Sequence, residues 1–151
     1  TTAVAYRYFQ TDRRNVIVAG TPGHPQYTRN MATGASNADL AVILVDAQHG
    51  VQTQTRRHAM IAQVMGIRHI AVAVNKMDRV DWDEARFRDV ETEFAQLAED
   101  LGVPNVTAIP VSALHGDNVF TPSSKMGWYR GLTLMAHLNT VQIDRHQAGP
   151  F

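Results

Sequence analysis

Short apolar runs alternate with segments of helical periodicity along most of the chain. Near-continuous hydrophobic runs of strand length occupy residues 16–19, 40–45, 69–74 and 106–111. Such runs are typical of strands that are covered on both faces of a sheet. Residues 4–9 are also rich in strand formers, and a polar turn follows them, so we expect them to pair with residues 16–19 as a hairpin.

Helical spacing predicts a helix in most intervals between these strands. The helices are expected at residues 27–36, 53–65, 81–101 and 132–138. The apolar positions of the second are Met60, Ile61, Val64 and Met65. The third is expected to start at Asp81, with Glu84 completing a helix-starting box, and to stop at Gly102. The alternation of strands and helices predicts right-handed crossovers and a mostly parallel α/β sheet.

Composition excludes several classes of protein. The chain has 151 residues, of which 44% are hydrophobic, so one domain with a real core is expected. It has no cysteine, which excludes disulfides and thiolate metal sites. Its apolar runs are too short to span a bilayer, and no basic-then-apolar leader opens it, so we expect no membrane association or export. Fourteen basic residues balance fourteen acidic ones, which argues against a nucleic-acid partner.

Candidate functional residues follow the apolar runs, because ligands of open α/β sheets bind at the carboxyl ends of strands. These residues are 20–24, Asp46, 75–78 and 112–114. Both ends of the chain look cut, since it starts without Met and stops without a polar tail, and we expect a fragment of a longer polypeptide.

The segment Asn75-Lys76-Met77-Asp78 has the chemistry of a guanine-reading loop. Guanine presents N1–H and an exocyclic amine side by side, and the carboxylate of Asp78 can accept from both donors. Adenine lacks this donor pair. Asn75 can tie neighbouring loops to the base, while the stem of Lys76 can cover its face. The alternative is a polar turn at the end of a strand, without a ligand.

Ser112-Ala113-Leu114 follows the next strand. Its position places the hydroxyl of Ser112 and the N–H of Ala113 beside the base edge, where they can donate to the guanine oxygen. Considered alone, the segment is equally compatible with a serine that ends a strand.

The turn Thr21-Pro22-Gly23-His24 is the candidate on the phosphate side. Gly23 lets a backbone N–H approach a terminal phosphate closely. His24 can then orient an attacking water, a role described for nucleoside triphosphatases generally. The alternative is a solvated histidine in a surface turn.

In this order, the three segments resemble guanine-nucleotide motifs of translation-factor-type GTPases. Over nearly the whole chain, the sequence is most similar to the GTPase domain of sulfate adenylyltransferase large subunits. The segments that carry this resemblance are "VAYRYF", "TPGHPQYTRNMATGAS", "DLAVILVDAQHGVQTQTRRH", "VNKMDRVD", "SALHGDNV" and "WYRG". Elongation factor Tu is the alternative, but its counterpart of "VAYRYF" differs, and it lacks the "GDNV" and "WYRG" segments.

The resemblance implies a P-loop GTPase-type fold, a mostly parallel sheet flanked by helices, that binds GTP and Mg²⁺. It implies a GTP-binding domain over residues 1–143 and, over 144–151, the start of a linker to a β-barrel domain. Thr1, or less well Thr2, falls where the family has a threonine that coordinates magnesium. His24 becomes the catalytic residue, and residues 21–23, Asn75, Lys76, Asp78 and 112–114 become nucleotide-binding.

The resemblance also implies an activity and a partner. The parent enzyme is cytoplasmic and converts ATP and sulfate to adenylylsulfate and pyrophosphate, with GTP hydrolysis driving the unfavourable equilibrium. The adenylyl transfer belongs to a small catalytic subunit, and some members are fused to an adenylylsulfate kinase.

The chain departs from the family in two places. The Gly-rich phosphate loop is missing, since it lies upstream of Thr1 in the family, so the fold is expected to be incomplete at the N-terminus. The strand that carries the loop is central in the family's sheet. We therefore expect a gap between neighbouring strands, poor folding of the chain alone and no GTP binding.

The second departure is Gly20, where the family has an aspartate that holds magnesium through water. It raises the alternative of a non-catalytic module with a decayed site. Arg56, Arg57 and His58 are expected on a solvated helix face, and the alternative is a face that contacts a partner.

Overall fold

The computed structural model describes residues 6–10, 15–20 and 38–141. Its five described strands are β1 (Tyr6–Gln10), β2 (Asn15–Ala19), β3 (Leu40–Asp46), β4 (His69–Asn75) and β5 (Asn105–Pro110). They form one sheet in the order β1-β2-β3-β4-β5. β1 is antiparallel to β2, and the other neighbours are parallel. The predicted hairpin and the mostly parallel sheet are confirmed, whereas the helix predicted at 27–36 lies outside the described residues.

The expected gap in the sheet is wrong for the described strands. β2 pairs directly with β3, in a register that runs from Val16 opposite Leu40 to Ala19 opposite Ile43. Just before this ladder, the backbone N–H of Asp39 donates to the carbonyl of Asn15 at 2.7 Å. The two strands thus satisfy each other's buried backbone groups. Poor folding of the chain alone and its failure to bind GTP stay predictions, which a thermal melt and a GTP titration check.

Helices cover both faces of the sheet. Three α-helices are described: α1 (Thr53–Val64), α2 (Glu84–Leu101) and α3 (Leu134–Thr140). α1 and α2 pack on the face that presents Ile17, Ile43 and Val72. α3 packs on the opposite face, where Leu138 joins Val42 in a second apolar cluster. No helix in these ranges is long and apolar enough to cross a membrane.

Of the four apolar positions whose spacing predicts α1, Ile61 packs partly against the core, and the other three do not lie on its buried face. Met60, Val64 and Met65 are exposed, to 47%, 64% and 38% of their areas. The residues that α1 buries are Thr55, His58, Ala59 and Ala62. Alanine side chains are short, so they let the helix lie close to the sheet, and the long side chains one position away turn outward. His58 is therefore not on a solvated face as expected, while Arg56 and Arg57 are exposed.

The first described helix starts at Thr53 as predicted, whereas α2 and α3 start three and two residues later than predicted. α2 begins at Glu84, and its N-cap is Asp83, whose carboxylate accepts from the N–H of Ala85 at 3.3 Å. Asp81 instead ends a 3₁₀ turn, Met77–Val80, with φ of 56°. Thr133 caps α3 in the same way, by accepting from the N–H of Ala136 at 3.2 Å. A capping side chain thus fixes each start more closely than hydrophobic spacing does.

Candidate guanine-nucleotide site

The carboxyl ends of β3 and β4 lie side by side. Asp46, the last residue of β3, is paired with Asn75, the last residue of β4. The N–H of Ala47 donates to the carbonyl of Asn75 at 2.8 Å. This closes the ladder at the edge where ligands of parallel sheets bind.

Asn75 joins two loops through one side-chain oxygen. Its Oδ1 accepts from the backbone N–H of Lys76 at 2.8 Å and from that of Ala113 at 2.9 Å. Lys76 has φ of 67°, in the left-handed region that non-glycine residues rarely adopt. The hydrogen bond to Asn75 supports this conformation, and the chain can then turn sharply out of β4.

Met77 fixes the following turn to the protein interior. Its side chain is fully buried, and its N–H donates to the carbonyl of Val111 at 3.2 Å. The 3₁₀ turn that begins here places Asp78 one residue later. The apolar residue inside the Asn-Lys-Met-Asp segment therefore anchors the polar residues around it.

Asp78 meets the loop after β5. Its Oδ1 accepts from the hydroxyl of Ser112 at 2.8 Å, and Ser112 is fully buried. The ring Nε2 of His115 lies 3.7 Å from its Oδ2, an ion pair when the histidine is protonated. Each carboxylate oxygen has two lone pairs, so Asp78 retains acceptor capacity for a ligand.

The loop after Ser112 folds back on itself. The N–H of Ser112 donates to the carbonyl of Asp117 at 3.1 Å. The buried side-chain amide of Asn118, which has φ of 61°, donates to the carbonyl of Pro110 at 2.8 Å. These hydrogen bonds from the "GDNV" segment hold Ser112 in place. Leu114, at the tip of the loop, is 82% exposed.

His115 was not predicted as a site residue. It follows Leu114, lies beside Asp78, and its ring centroid is 6.5 Å from that of Trp82. The only sequence signal was its place one residue after the Ser-Ala-Leu segment, and many surface loops contain such a histidine.

Hydrogen bonds thus join the loops after β4 and β5 into one cluster. Its members are Asn75, Lys76, Asp78, Ser112 and Ala113. Residues 21–24 and Thr1 lie outside the described residues. Gly20 is described and buried, and a Cβ built on it comes within 2.9 Å of Cδ1 of Leu44.

Together, the fold and this cluster define an α/β domain of the P-loop GTPase type. The family model of the elongation factor Tu GTP binding domain matches residues 1–142. The chain belongs to this family.

Curated proteins show which members of this family the chain is similar to. The chain is 53% identical over 148 residues to sulfate adenylyltransferase subunit 1 of Shewanella woodyi, covering 98% of this chain and 32% of that protein. It is 58% identical over 142 residues to the protein of the same name from Aliarcobacter butzleri, covering 93% and 30% respectively. The resemblance inferred from the sequence is confirmed, in preference to elongation factor Tu. The chain spans about a third of the length of these relatives.

Among solved structures, the chain resembles sup35 complexed with GMPPNP. The TM-score is 0.68 at 30% identity, over 92% of this chain and 35% of that one. This similarity confirms the predicted GTPase-type fold.

Proposed function

We propose that this domain binds guanine nucleotide at the cluster around Asp78. The carboxylate of Asp78 accepts from N1–H and the exocyclic amine of the base. The hydroxyl of Ser112 has one proton and donates it to Asp78, so Ser112 orients this carboxylate rather than donating to the guanine oxygen as expected from the sequence. In this proposal the N–H of Ala113, which donates to Oδ1 of Asn75, is shared with the guanine oxygen, and Leu114 completes the loop. The observation that carries the proposal is the 2.8 Å hydrogen bond from Ser112 to Asp78. Ser112 follows β5 and Asp78 follows β4, so this bond fixes the orientation of the Asp78 carboxylate from the neighbouring loop.

Asn75 and Lys76 have supporting roles in this proposal. Asn75 holds the two base-reading loops together through Oδ1. The aliphatic stem of Lys76 covers one face of the base. Charge-assisted hydrogen bonds from a base to a carboxylate are worth about 1.5–3 kcal/mol each, enough to dominate the choice of base.

The proposed reaction at the phosphate end is GTP hydrolysis. In this proposal the turn Thr21-Pro22-Gly23 brings a backbone N–H to the terminal phosphate, with Gly23 permitting the close approach, and His24 orients the attacking water. The names of the curated relatives support a role as the GTP-hydrolysing part of a sulfate adenylyltransferase, in which ATP and sulfate give adenylylsulfate and pyrophosphate.

The proposed partner is the small catalytic subunit of that enzyme, and the name "subunit 1" of the relatives supports it. We assign residues 1–143 to the GTP-binding domain and 144–151 to the start of a linker to a β-barrel domain. The proposed location is the cytoplasm. As in some members of the family, the parent protein is proposed to be either separate from an adenylylsulfate kinase or fused to one.

Mg²⁺ is the proposed companion of GTP at the phosphate end of the site. At such sites it has few protein ligands, and water and phosphate oxygens complete its coordination. Thr1, the proposed protein ligand, lies outside the described ranges, and Gly20 offers no carboxylate to hold a bound water.

Base reading is tested by Asp78→Asn in the full natural chain. The amide donates where the carboxylate accepts, so binding of GDP and GTP should weaken at least tenfold, while xanthine nucleotides gain affinity. Asp89→Asn is the matched control, since Asp89 lies on the exposed side of α2 with 70% of its side chain exposed. Unchanged guanine preference in Asp78→Asn would show that Asp78 does not read the base.

The partner is tested by purification of the full natural chain from its own cells. We expect a small sulfate adenylyltransferase subunit to copurify with it in a stoichiometric complex. Copurification with transfer RNA or ribosomes instead would favour the elongation-factor alternative.

A further inference from the structure

We propose that Asp46 is a positioning residue of the guanine site, acting through the ammonium group of Lys76. This inference rests on the proposed function and adds to it a residue on a different strand. Asp46 ends β3, whereas the base-reading segment follows β4.

The carboxylate of Asp46 holds two groups at once. Its Oδ1 accepts from the backbone N–H of Gln48 at 2.7 Å, which fixes the turn after β3. Its Oδ2 lies 3.2 Å from Nζ of Lys76. The side chain of Asp46 is only 14% exposed, so its position is set by the fold rather than by the lysine.

Lys76 is consequently fixed at both ends. Its backbone N–H donates to Oδ1 of Asn75, which holds the strained left-handed conformation, and its ammonium pairs with Asp46. The four-carbon stem then spans from the end of β4 to the end of β3. A free lysine side chain loses rotamer entropy when it is immobilised. An existing ion pair removes part of this cost before the nucleotide binds.

Within the described ranges, His49 also lies near Asp46. Its Nε2 lies 4.0 Å from Oδ2, and 60% of its side chain is exposed. The shorter contact with Lys76 makes the lysine the principal partner of this carboxylate.

The test measures affinity for GDP in the full natural chain with Asp46→Asn. The variant keeps an oxygen for the N–H of Gln48 but loses the charge that attracts Lys76. We expect binding to weaken about threefold to tenfold, as for a partly screened ion pair. Asp46→Glu should recover part of the loss, and the control Asp89→Asn, which breaks a 3.9 Å contact with Arg86 on α2, should bind as the parent does.

A double-mutant cycle with Lys76→Met separates positioning from a general structural effect. Methionine keeps an unbranched apolar stem without the ammonium, so Asp46→Asn should have no further effect on affinity in this background. Asp46→Asn should also weaken guanine and xanthine nucleotides by the same factor when Asp78→Asn is present, because the stem covers the face of the base rather than its edge.

Three outcomes distinguish the hypotheses. Unchanged GDP affinity in Asp46→Asn, or losses that simply add in the cycle, would overturn the positioning role while leaving the guanine site intact. Absence of guanine preference in the parent protein would overturn the proposed function itself.

Discussion

Ser112 donates a hydrogen bond to Asp78 at 2.8 Å across 34 residues of sequence. The donor is fully buried and the acceptor's side chain is 20% exposed, so the bond joins the protein interior to the candidate site. The same hydroxyl oxygen accepts weakly from the N–H of His115, at 3.4 Å. Ser112 therefore organises both its own loop and the carboxylate proposed to read the base.

Ser112→Ala is expected to weaken GTP binding about fivefold to tenfold, without changing the preference for guanine over adenine. The carboxylate remains, but it loses the donor that fixes its orientation, a contribution of about 1 kcal/mol. Calorimetric titration of the full natural chain with GTP and ATP measures both quantities.

The matched control is Ser123→Ala. The hydroxyl oxygen of Ser123 accepts from the N–H of Lys125 at 3.0 Å, in a turn outside the site. Equal GTP affinity of the two serine variants would remove Ser112 from the nucleotide site.

Substitution of Gly20 tests whether the phosphate side of the domain has lost its catalytic function. A side chain here first meets Cδ1 of Leu44, the end of a flexible side chain, so the clash is relieved by a small movement of Leu44. The resemblance implies an aspartate that holds magnesium through water. In the full natural chain, we expect Gly20→Asp to raise GTP hydrolysis more than tenfold, by analogy with outer-shell losses at other metal sites.

Gly20→Ala is the steric control, because it adds the same Cβ without a carboxylate. It should leave hydrolysis at the parent rate. If Gly20→Asp also leaves the rate unchanged, the decayed-site alternative is rejected, and the glycine is a tolerated change.

The strands were predictable because their signal is local. The runs ending at Asp46 and Asn75 are apolar on both faces, and the polar residues that follow them mark the carboxyl edge of the sheet. The segments around Asp78 and Ser112 could be placed together for the same reason, since neighbouring parallel strands bring their ends to one edge.

The pairing of β2 with β3 and the buried face of α1 could not be predicted in this way. Strand pairing depends on contacts between residues distant in sequence. Here β2 and β3 pair directly, and each satisfies the backbone hydrogen-bonding groups of the other. In α1, apolar spacing favoured Met60 and Val64, but close approach of the helix to the sheet selected Ala59 and Ala62. The partners of Asp46 and His115 likewise depend on loops that meet only in the folded chain.

Trp128 connects the "WYRG" segment to the turn before α2. Its Nε1 donates to the carbonyl of Trp82 at 3.0 Å, and its ring centroid lies 5.5 Å from that of the buried Phe87. Trp128→Ala should lower the free energy of unfolding by about 2–3 kcal/mol through lost ring packing. Trp128→Phe keeps a ring and should cost only about 1 kcal/mol, chiefly from the lost hydrogen bond.

Urea unfolding of the full natural chain measures both Trp128 variants. The exposed Phe120, with 73% of its area accessible, provides a control, since Phe120→Ala should change stability little. Equal stabilities of Trp128→Ala and Phe120→Ala would contradict the packing role.

His58 is expected to make the domain less stable in acid. It is 1% exposed, and burial lowers its pKa from 6.5 to about 4, because the charged imidazolium is poorly solvated there. Its ring Nε2 lies 3.2 Å from Nε2 of Gln54. Above pH 6.5 both the folded and the unfolded states carry a neutral ring, and this residue adds no pH dependence.

Between pH 6.5 and about 4 the unfolded chain binds a proton at His58 that the folded chain excludes, so stability falls as the pH falls. The full loss is on the order of 3 kcal/mol for a shift of this size. Urea unfolding at a series of pH values should therefore give a shallower pH dependence for His58→Gln than for the parent. His49→Gln, at a position whose side chain is 60% exposed, should keep the parent slope. Parallel slopes for the parent and His58→Gln would mean that the buried ring is not the group whose protonation opposes folding.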